Sequence, residues 1–244
     1  VRALDPAPGG GGRLVTSAYP FPPADAETDA FFEPLDVAGY NYAFDAYARD
    51  HARVPARLIV GTETYPADSL ANWRAAASAP YVLGNFIWTA IDYIGESAIG
   101  ASGHYPPSPL GCAAYCAQPY TYHLSSSGDL DLVGQPRAQA YLRRVMWNVS
   151  EIEMGVHAPT PASSREAIGD WGYPDERQSW SWAGVGAPLR VRVYTWHHCV
   201  RLTLNGAPIG GGTCVPPDPG CSHGMRPSRS ARVNQQLSAR RQRH

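Results

Sequence analysis

The predicted fold follows from the residues Arg57-Leu58-Ile59-Val60-Gly61-Thr62-Glu63-Thr64-Tyr65-Pro66. Its apolar residues follow one another without polar alternation, which is typical of a strand buried on both faces of a parallel sheet. Glu63 stands where this strand ends. In an α/β barrel the C-terminal strand ends form the active-site face, so Glu63 is a candidate catalytic carboxylate. The alternative is a glutamate that merely begins a solvent-exposed loop.

Segments on both sides of this stretch repeat the pattern. Strands are predicted over Leu35–Tyr42 and Tyr81–Trp88, and helices over Ala43–Arg53 and Ser69–Ala79. The three strands begin at residues 35, 57 and 81, with helices between them. This is the spacing of βα units, and it predicts a parallel sheet.

The segment before these units predicts one more short strand, Arg13–Ser17. The Pro-rich and acidic segment Tyr19–Asp29 predicts a loop. Glycines recur inside the predicted strands at Gly39, Gly61 and Gly84. We interpret all three as relief of crowding in the interior of the sheet.

The second half of the chain has a different character. Residues 95–135 are irregular, and an amphipathic helix is predicted from Pro136. Alternating apolar and polar residues over 189–204, followed by the turn Asn205-Gly206, then predict antiparallel strands with one exposed face. The sequence therefore predicts three parts: an α/β domain over 1–148, a partial β-sandwich over 149–212 and a disordered basic tail over 213–244.

The composition excludes few classes of protein. The chain has 244 residues, 44% of them hydrophobic, and a net charge of −1, so its overall charge favours no anionic partner. Its five cysteines are a sparse set of odd number, so they predict no disulfide framework. The sequence predicts no membrane span, and it leaves the cellular compartment open, a bacterial periplasmic or secreted location being compatible with it.

Three predicted strand ends carry side chains that suit carbohydrate chemistry. They are Asn41-Tyr42, Glu63 and Trp88. A carboxylate can attack an anomeric carbon, a phenol can orient that carboxylate, and an indole offers an apolar wall to a sugar ring. Each residue alone is a weak signal, but together at βα spacing they favour the catalytic interpretation of Glu63.

The sequence resembles the C-terminal part of glycoside hydrolase family 2 enzymes, the group of β-galactosidases, β-glucuronidases and β-mannosidases. The motifs that carry the resemblance occur in the order of the family over residues 1–148. They are Asp36-Val37-Ala38-Gly39-Tyr40-Asn41-Tyr42, Gly61-Thr62-Glu63, Phe86-Ile87-Trp88-Thr89-Ala90-Ile91-Asp92-Tyr93 and Ser127-Gly128-Asp129-Leu130-Asp131-Leu132. Residues 149–211 resemble the immunoglobulin-like domain that follows the barrel in β-galactosidase-like members.

The resemblance implies a fold and a set of roles. Residues 13–17, 35–42, 57–63 and 81–88 would be strands five to eight of a (β/α)8 TIM barrel. Glu63 matches the catalytic nucleophile of a retaining glycosidase, and Tyr42 matches the tyrosine that orients it. Asn41 matches a substrate-contacting position, and Trp88 matches the tryptophan below the sugar. Asp92 is expected to be structural.

The sequence departs from the family at the second catalytic group. The acid/base glutamate of the family lies at the end of strand four, which is expected upstream of Val1. Glu96 is the one other glutamate within reach of the predicted strand ends, and we assign it to substrate binding or loop support rather than to acid catalysis. The chain alone is accordingly predicted to be inactive.

The remaining predictions concern ligands and partners. The expected substrate is a β-galactoside, with a β-glucuronide or β-mannoside as alternatives, and a non-catalytic remnant that at most binds carbohydrate is the alternative function. Cys112 and Cys116, with His104 and His123 nearby, fit no standard zinc spacing. No metal, cofactor, nucleic acid or membrane partner is predicted, and the oligomeric state is left open.

Overall fold

The structure, a computed structural model, describes residues 12–22, 25–96, 98–105, 122–179, 181–182, 189–214 and 229–231. The chain divides into two compact units, Val1–Thr89 and Ala90–His244. The sequence predicted a different division into three parts, 1–148, 149–212 and 213–244, from changes in sequence character along the chain. That division stays a prediction. Cys112 and Cys116, which were considered above as zinc ligands, lie outside the described residues.

The first unit is built on a parallel sheet of four strands in the order β1-β2-β3-β4. The inner strand β2 is buried along its whole length, and the first three residues of β3 are buried. An apolar run without alternation needs this environment, because both faces of the strand are covered. The strands are β1 (Thr16–Pro20), β2 (Val37–Asn41), β3 (Ile59–Glu63) and β4 (Val82–Asn85).

Three helices accompany the sheet: α1 (Ala26–Phe32), α2 (Tyr47–Arg53) and α3 (Ser69–Ser78). The core between the sheet and the helices contains fully buried Tyr40 and Ile59. Phe32 stacks on Tyr40 with ring centroids 5.1 Å apart, and Tyr47 meets the same ring edge-on at 5.6 Å. These aromatic contacts therefore pack α1 and α2 against β2.

The helix α1 corrects the predicted loop Tyr19–Asp29. Asp25 caps the helix, since its carboxylate accepts a hydrogen bond from the Thr28 N–H at 2.8 Å. Glu27 and Asp29 place negative charge in the first turn, where the helix dipole favours it. The loop was predicted because the segment is rich in proline and acidic residues. An aspartate followed by an acidic first turn is, however, also a helix-start signal.

The strand glycines have two different structural reasons. A Cβ atom on Gly39 would lie 2.4 Å from the Ser17 carbonyl oxygen, and one on Gly61 would lie 2.6 Å from the Tyr47 hydroxyl oxygen. Relief of crowding explains both positions. Gly84 has open space around it and a φ of +141°, so the interpretation by crowding is wrong there, and backbone conformation is what requires glycine.

An ion-pair cluster joins α1 to the end of α2 and the start of β3. Arg53 donates two hydrogen bonds to the Asp29 carboxylate at 2.7 and 2.9 Å, and Arg57 donates one at 2.7 Å. The hydrogen bonds from Arg53, and then those from Arg57, lower the pKa of Asp29 from 3.8 to about 2. The cluster therefore stabilises the fold only while Asp29 is ionised.

We expect the Asp29→Asn variant to lose part of the acid sensitivity of the chain. The folded-state pKa of Asp29 lies below its unfolded value, so its stabilisation is present above about pH 4 and is lost as the pH falls toward 2. Because the Asp29 side chain is 31% exposed, solvent screening limits the effect to about 1 kcal/mol. Urea unfolding between pH 6 and 2 measures it. Asp45→Asn, at an exposed position, is the control, and an unchanged pH profile of Asp29→Asn would contradict the prediction.

The second unit begins with short strands and contains the amphipathic helix α4 (Ala138–Met146). Tyr141, Leu142 and Val145 are buried on one side of α4, as the sequence predicts. The short strands are β5 (Tyr93–Ile94), β6 (Ser102–Tyr105) and β7 (Leu124–Ser125).

Antiparallel strands follow α4. One sheet has the order β10-β8-β11-β14, while β6 pairs with β9 and β5 with β7. Hydrogen-bonded pairing of β12 with β13 flanks Asn205 and Gly206, whose φ values are 51° and 81°. This is the hairpin turn that the sequence predicts. The strands are β8 (Ile152–His157), β9 (Arg165–Ile168), β10 (Glu176–Arg177), β11 (Val191–Thr195), β12 (Cys199–Leu204), β13 (Ala207–Cys214) and β14 (Arg229–Ala231).

A disulfide between Cys199 and Cys214 closes the hairpin of β12 and β13. The sequence did not predict it, because only the register of the two strands brings these cysteines opposite each other. Within the predicted tail 213–244, the structure describes residues 213–214 in β13 and the strand β14, which pairs with β11. The other residues of that tail lie outside the described part of the chain.

No helix within the described residues combines the length and the apolar character that a membrane crossing requires. Nor do those residues contain a group of three or more histidine, cysteine, aspartate and glutamate side chains that could hold a metal ion.

Candidate active site

Parallel pairing places the candidate residues of β2 and β3 side by side. Asn41 is the last residue of β2, Glu63 is the last residue of β3, and the two are register partners. Tyr42 directly follows β2 and has a φ of 55°. The carboxyl ends of parallel strands meet at one edge of a sheet, and this edge collects the three side chains.

The central contact of the site joins Tyr42 to Glu63. The Tyr42 hydroxyl donates to Glu63 Oε2 at 2.6 Å, and the Tyr42 N–H donates to the Glu63 carbonyl oxygen at 2.8 Å. A phenol donating to a carboxylate at this distance is a strong, charge-assisted hydrogen bond. It occupies one carboxylate oxygen and fixes the direction of the other.

A second hydrogen bond orients Asn41. The Thr62 hydroxyl donates to Asn41 Oδ1 at 2.6 Å, and the Asn41 side chain is buried. Since its oxygen accepts from Thr62, the amide plane is fixed and the N–H2 group has a set direction. Asn41 can therefore act as a donor at this edge.

Trp88 follows the end of β4, which is shorter than predicted. Beyond Asn85 the backbone still bonds to the β3 segment, because the Phe86 N–H donates to the Gly61 carbonyl oxygen at 2.7 Å. The Trp88 N–H then donates to the Thr64 carbonyl oxygen at 3.1 Å. These bonds hold half-buried Trp88 beside the residue that follows Glu63, and the Trp88–Thr89 peptide bond is cis.

Two solved structures share both fold and sequence with this chain. Both are glycosyl hydrolase family 2 members from Bacteroides cellulosilyticus. One has 33% identity over 83% of this chain with a TM-score of 0.67, and the other, from strain DSM 14838, has 28% identity over 91% with a TM-score of 0.64. This chain is a glycosyl hydrolase family 2-like segment.

The family 2-like segment spans about a quarter of the length of these two relatives, 25% of each chain. A third structure, an FMN-binding beta-glucuronidase from Facaelibacterium prausnitzii L2-6, has 14% identity over 92% of the segment and 32% of its own length, with a TM-score of 0.51. At this identity the likeness shows the fold alone. No family model and no curated protein matches the sequence.

Two of the acidic residues singled out in the sequence lie in the second unit of the family 2-like segment. Glu96 is exposed and follows β5, and its assignment to substrate binding stays a prediction. Asp92 is buried, with its carboxylate accepting from the Gly128 N–H at 2.9 Å and from Arg137 Nε at 2.9 Å. This geometry gives Asp92 a structural task, as expected from the sequence, since it ties the Phe86–Tyr93 motif to the Ser127–Leu132 motif.

Sequence reasoning missed two aromatic residues of the site. The Tyr65 ring stacks on the Tyr42 ring with centroids 4.1 Å apart and an interplanar angle of 27°. Phe21, directly after β1, stacks on Tyr42 at 5.8 Å and 29°. The available signal was position, because Tyr65 lies two residues after Glu63 and Phe21 immediately follows a strand.

The family 2-like segment also has a cavity of about 580 Å³ in its second unit. Its polar lining includes Ser102, Gln139, Tyr141, Tyr173, Glu176 and Arg177. Its charged groups are engaged within the protein: Arg137 with Asp92, Arg177 with Asp175, and Glu176 with Arg192. The cavity shares no lining residue with the Glu63 edge, so it does not define the chemistry of the site.

Proposed function

We propose that the family 2-like segment is the nucleophile-bearing part of a retaining β-glycosidase, with Glu63 as the nucleophile. The observation that carries the proposal is the 2.6 Å hydrogen bond from Tyr42 to Glu63 at the edge where β2 and β3 end. Sequence identity of 28–33% to family 2 structures supports the reaction class.

In this mechanism Glu63 attacks the anomeric carbon through the oxygen that Tyr42 does not engage. The glycosidic bond breaks as the new ester bond forms, and the leaving oxygen takes a proton from an acid. Water, deprotonated by the same group, then attacks the glycosyl ester, releases the sugar with retained configuration and restores the Glu63 carboxylate. Tyr42 orients Glu63 throughout, while Asn41 contacts the sugar and Trp88 supplies its apolar floor.

The proposal also covers the architecture. We take β1, β2, β3 and β4 as strands five to eight of a (β/α)8 barrel, followed by part of an immunoglobulin-like β-domain. The outer strands β1 and β4 each have a partner on one side within the described residues, which leaves edges for further barrel strands. The acid/base group would come from one of those strands, so the 244-residue chain alone is expected to show no steady turnover.

The proposed substrate is a terminal β-galactoside, with β-glucuronides and β-mannosides as the alternatives. The contacts of Asn41 and Trp88 suit any of these sugars, because each presents hydroxyl groups and an apolar ring face. Hydrolysis rates on aryl β-galactoside, β-glucuronide and β-mannoside decide among them. A polypeptide that carries this segment within a complete barrel is called the complete-barrel polypeptide below. If it binds a sugar without turnover, the non-catalytic alternative is favoured instead.

Covalent labelling tests the nucleophile directly. We expect a 2,4-dinitrophenyl 2-deoxy-2-fluoro-β-glycoside to esterify Glu63 in a polypeptide that carries this segment within a complete barrel. The dinitrophenolate leaves without protonation, so the result depends on the nucleophile rather than on the acid. Intact mass spectrometry gives the stoichiometry, and peptide mapping gives the position. A label on another carboxylate would overturn the assignment of Glu63.

A further inference from the structure

The Tyr42 ring stacks with two other aromatic rings. Tyr65 covers one face at 4.1 Å, and Phe21 stacks on the ring at 5.8 Å. Phe21 is 61% exposed, whereas Tyr65 is partly buried, so Tyr65 makes the closer and more enclosed contact. The Tyr42 ring, which contacts Glu63, is thus covered on a face by Tyr65, a residue of the loop that follows Glu63.

The backbone around Tyr65 is fixed by its neighbours. Proline at position 66 disfavours the helical region for the preceding residue, and Tyr65 has the extended values φ −71° and ψ 143°. Pro66 is buried and begins a short 3-10 helix, and its carbonyl oxygen accepts from the Ser69 hydroxyl at 2.7 Å. This turn fixes the backbone position from which the Tyr65 ring stacks on Tyr42.

The stack matters because the hydrogen bond depends on direction. Tyr42 directly follows β2, and its phenol donates to Glu63 Oε2 at 2.6 Å. A hydrogen bond weakens steeply as its angle departs from linearity. A ring free to rotate would therefore lose the phenol–carboxylate contact for part of the time, and Glu63 would lose its fixed orientation.

We infer that Tyr65 is a positioning residue that acts on Glu63 through the Tyr42 ring. The inference rests on the proposed role of Glu63 as nucleophile and adds a group that no sequence motif assigned. Tyr65 itself takes no part in bond making; its ring face is what the reaction requires. Its hydroxyl group is not required for this task.

The test measures the rate constant of covalent labelling of Glu63 in the complete-barrel polypeptide. We expect Tyr65→Leu to lower it on the order of 10- to 100-fold, as misorientation of a reacting group does, and Tyr65→Phe to leave it within about two-fold. The inhibition constant of a non-hydrolysable thioglycoside should stay unchanged in both variants. Tyr81→Leu is the matched control, because it removes another stacked tyrosine of the same unit, the one that stacks on His51 at 3.5 Å.

A double-mutant cycle with Tyr42→Phe separates positioning from general destabilisation. Once the phenol is gone, Tyr65→Leu should have no further effect on the labelling rate, since there is no hydroxyl left to orient. Additive effects of Tyr42→Phe and Tyr65→Leu, or an unchanged rate in Tyr65→Leu, would overturn the inference, as would a loss in Tyr65→Phe equal to that in Tyr65→Leu. A label that maps to another residue would refute the proposed function instead.

Discussion

Glu63→Gln in the complete-barrel polypeptide is expected to lower kcat for an aryl β-glycoside by about three orders of magnitude or more. The amide cannot form the glycosyl ester, so the two-step route is lost, and losses of this size are typical when a catalytic nucleophile is removed. The fold should persist, because the amide oxygen can still accept the hydrogen bond from Tyr42. Initial rates and far-UV circular dichroism measure the two effects.

The matched control is Glu33→Gln, the same substitution at an exposed residue directly after α1. It should leave kcat within about two-fold, as surface changes usually do. Unchanged turnover in Glu63→Gln would refute the nucleophile assignment. Robust hydrolysis by the 244-residue chain would mean that an acid lies within it, and Glu96→Gln would then be the first variant to examine.

Asp92→Asn is expected to have the largest effect on stability. The Asp92 side chain has no solvent exposure and pairs with Arg137, so the substitution leaves the guanidinium without its counter-charge. Breaking a buried pair costs about 3–5 kcal/mol, and we expect the lower end because the Arg137 side chain stays 34% exposed. Denaturant unfolding of the 244-residue chain, followed by tryptophan fluorescence, measures the loss.

Asp175→Asn is the matched control for this prediction. Asp175 pairs with Arg177 in the same unit, but the two side chains are 34% and 63% exposed, so its loss should cost less than about 1 kcal/mol. Equal effects of the two substitutions would contradict the structural role of Asp92. A lowered kcat in the complete-barrel polypeptide with an unchanged free energy of unfolding would instead indicate a catalytic role.

Local sequence patterns predicted the four parallel strands of the first unit and two of its three helices, α2 and α3. Ile59, Val60 and Gly61 are buried in β3, the environment that an apolar run without alternation predicts, whereas Leu58 directly before the strand is exposed. The helix α1 was missed because its first turn is acidic and lies close to prolines, and Asp25 has to be recognised as a cap before that pattern favours a helix. Boundaries also shifted, with β4 ending at Asn85 rather than at Trp88.

The contacts of the candidate site were likewise predicted only in part. Periodicity placed Glu63 at a strand end, and the family resemblance paired it with Tyr42. Neither indicated Tyr65, since the stacking of two rings depends on side-chain torsions and on the turn at Pro66. The disulfide between Cys199 and Cys214 was not predicted for a related reason, because the spacing of cysteines in the sequence does not determine strand register.

The pattern of apolar residues is sufficient to predict that a buried parallel strand places Glu63 at its C-terminal end, because this pattern selects local structure and burial. The tertiary structure alone decided which atoms meet at that end: the phenol of Tyr42 on Glu63 Oε2, the Thr62 hydroxyl on Asn41, and the Tyr65 ring on Tyr42. Such contacts join residues from different strands and loops, and their geometry depends on register and side-chain packing that no local pattern specifies.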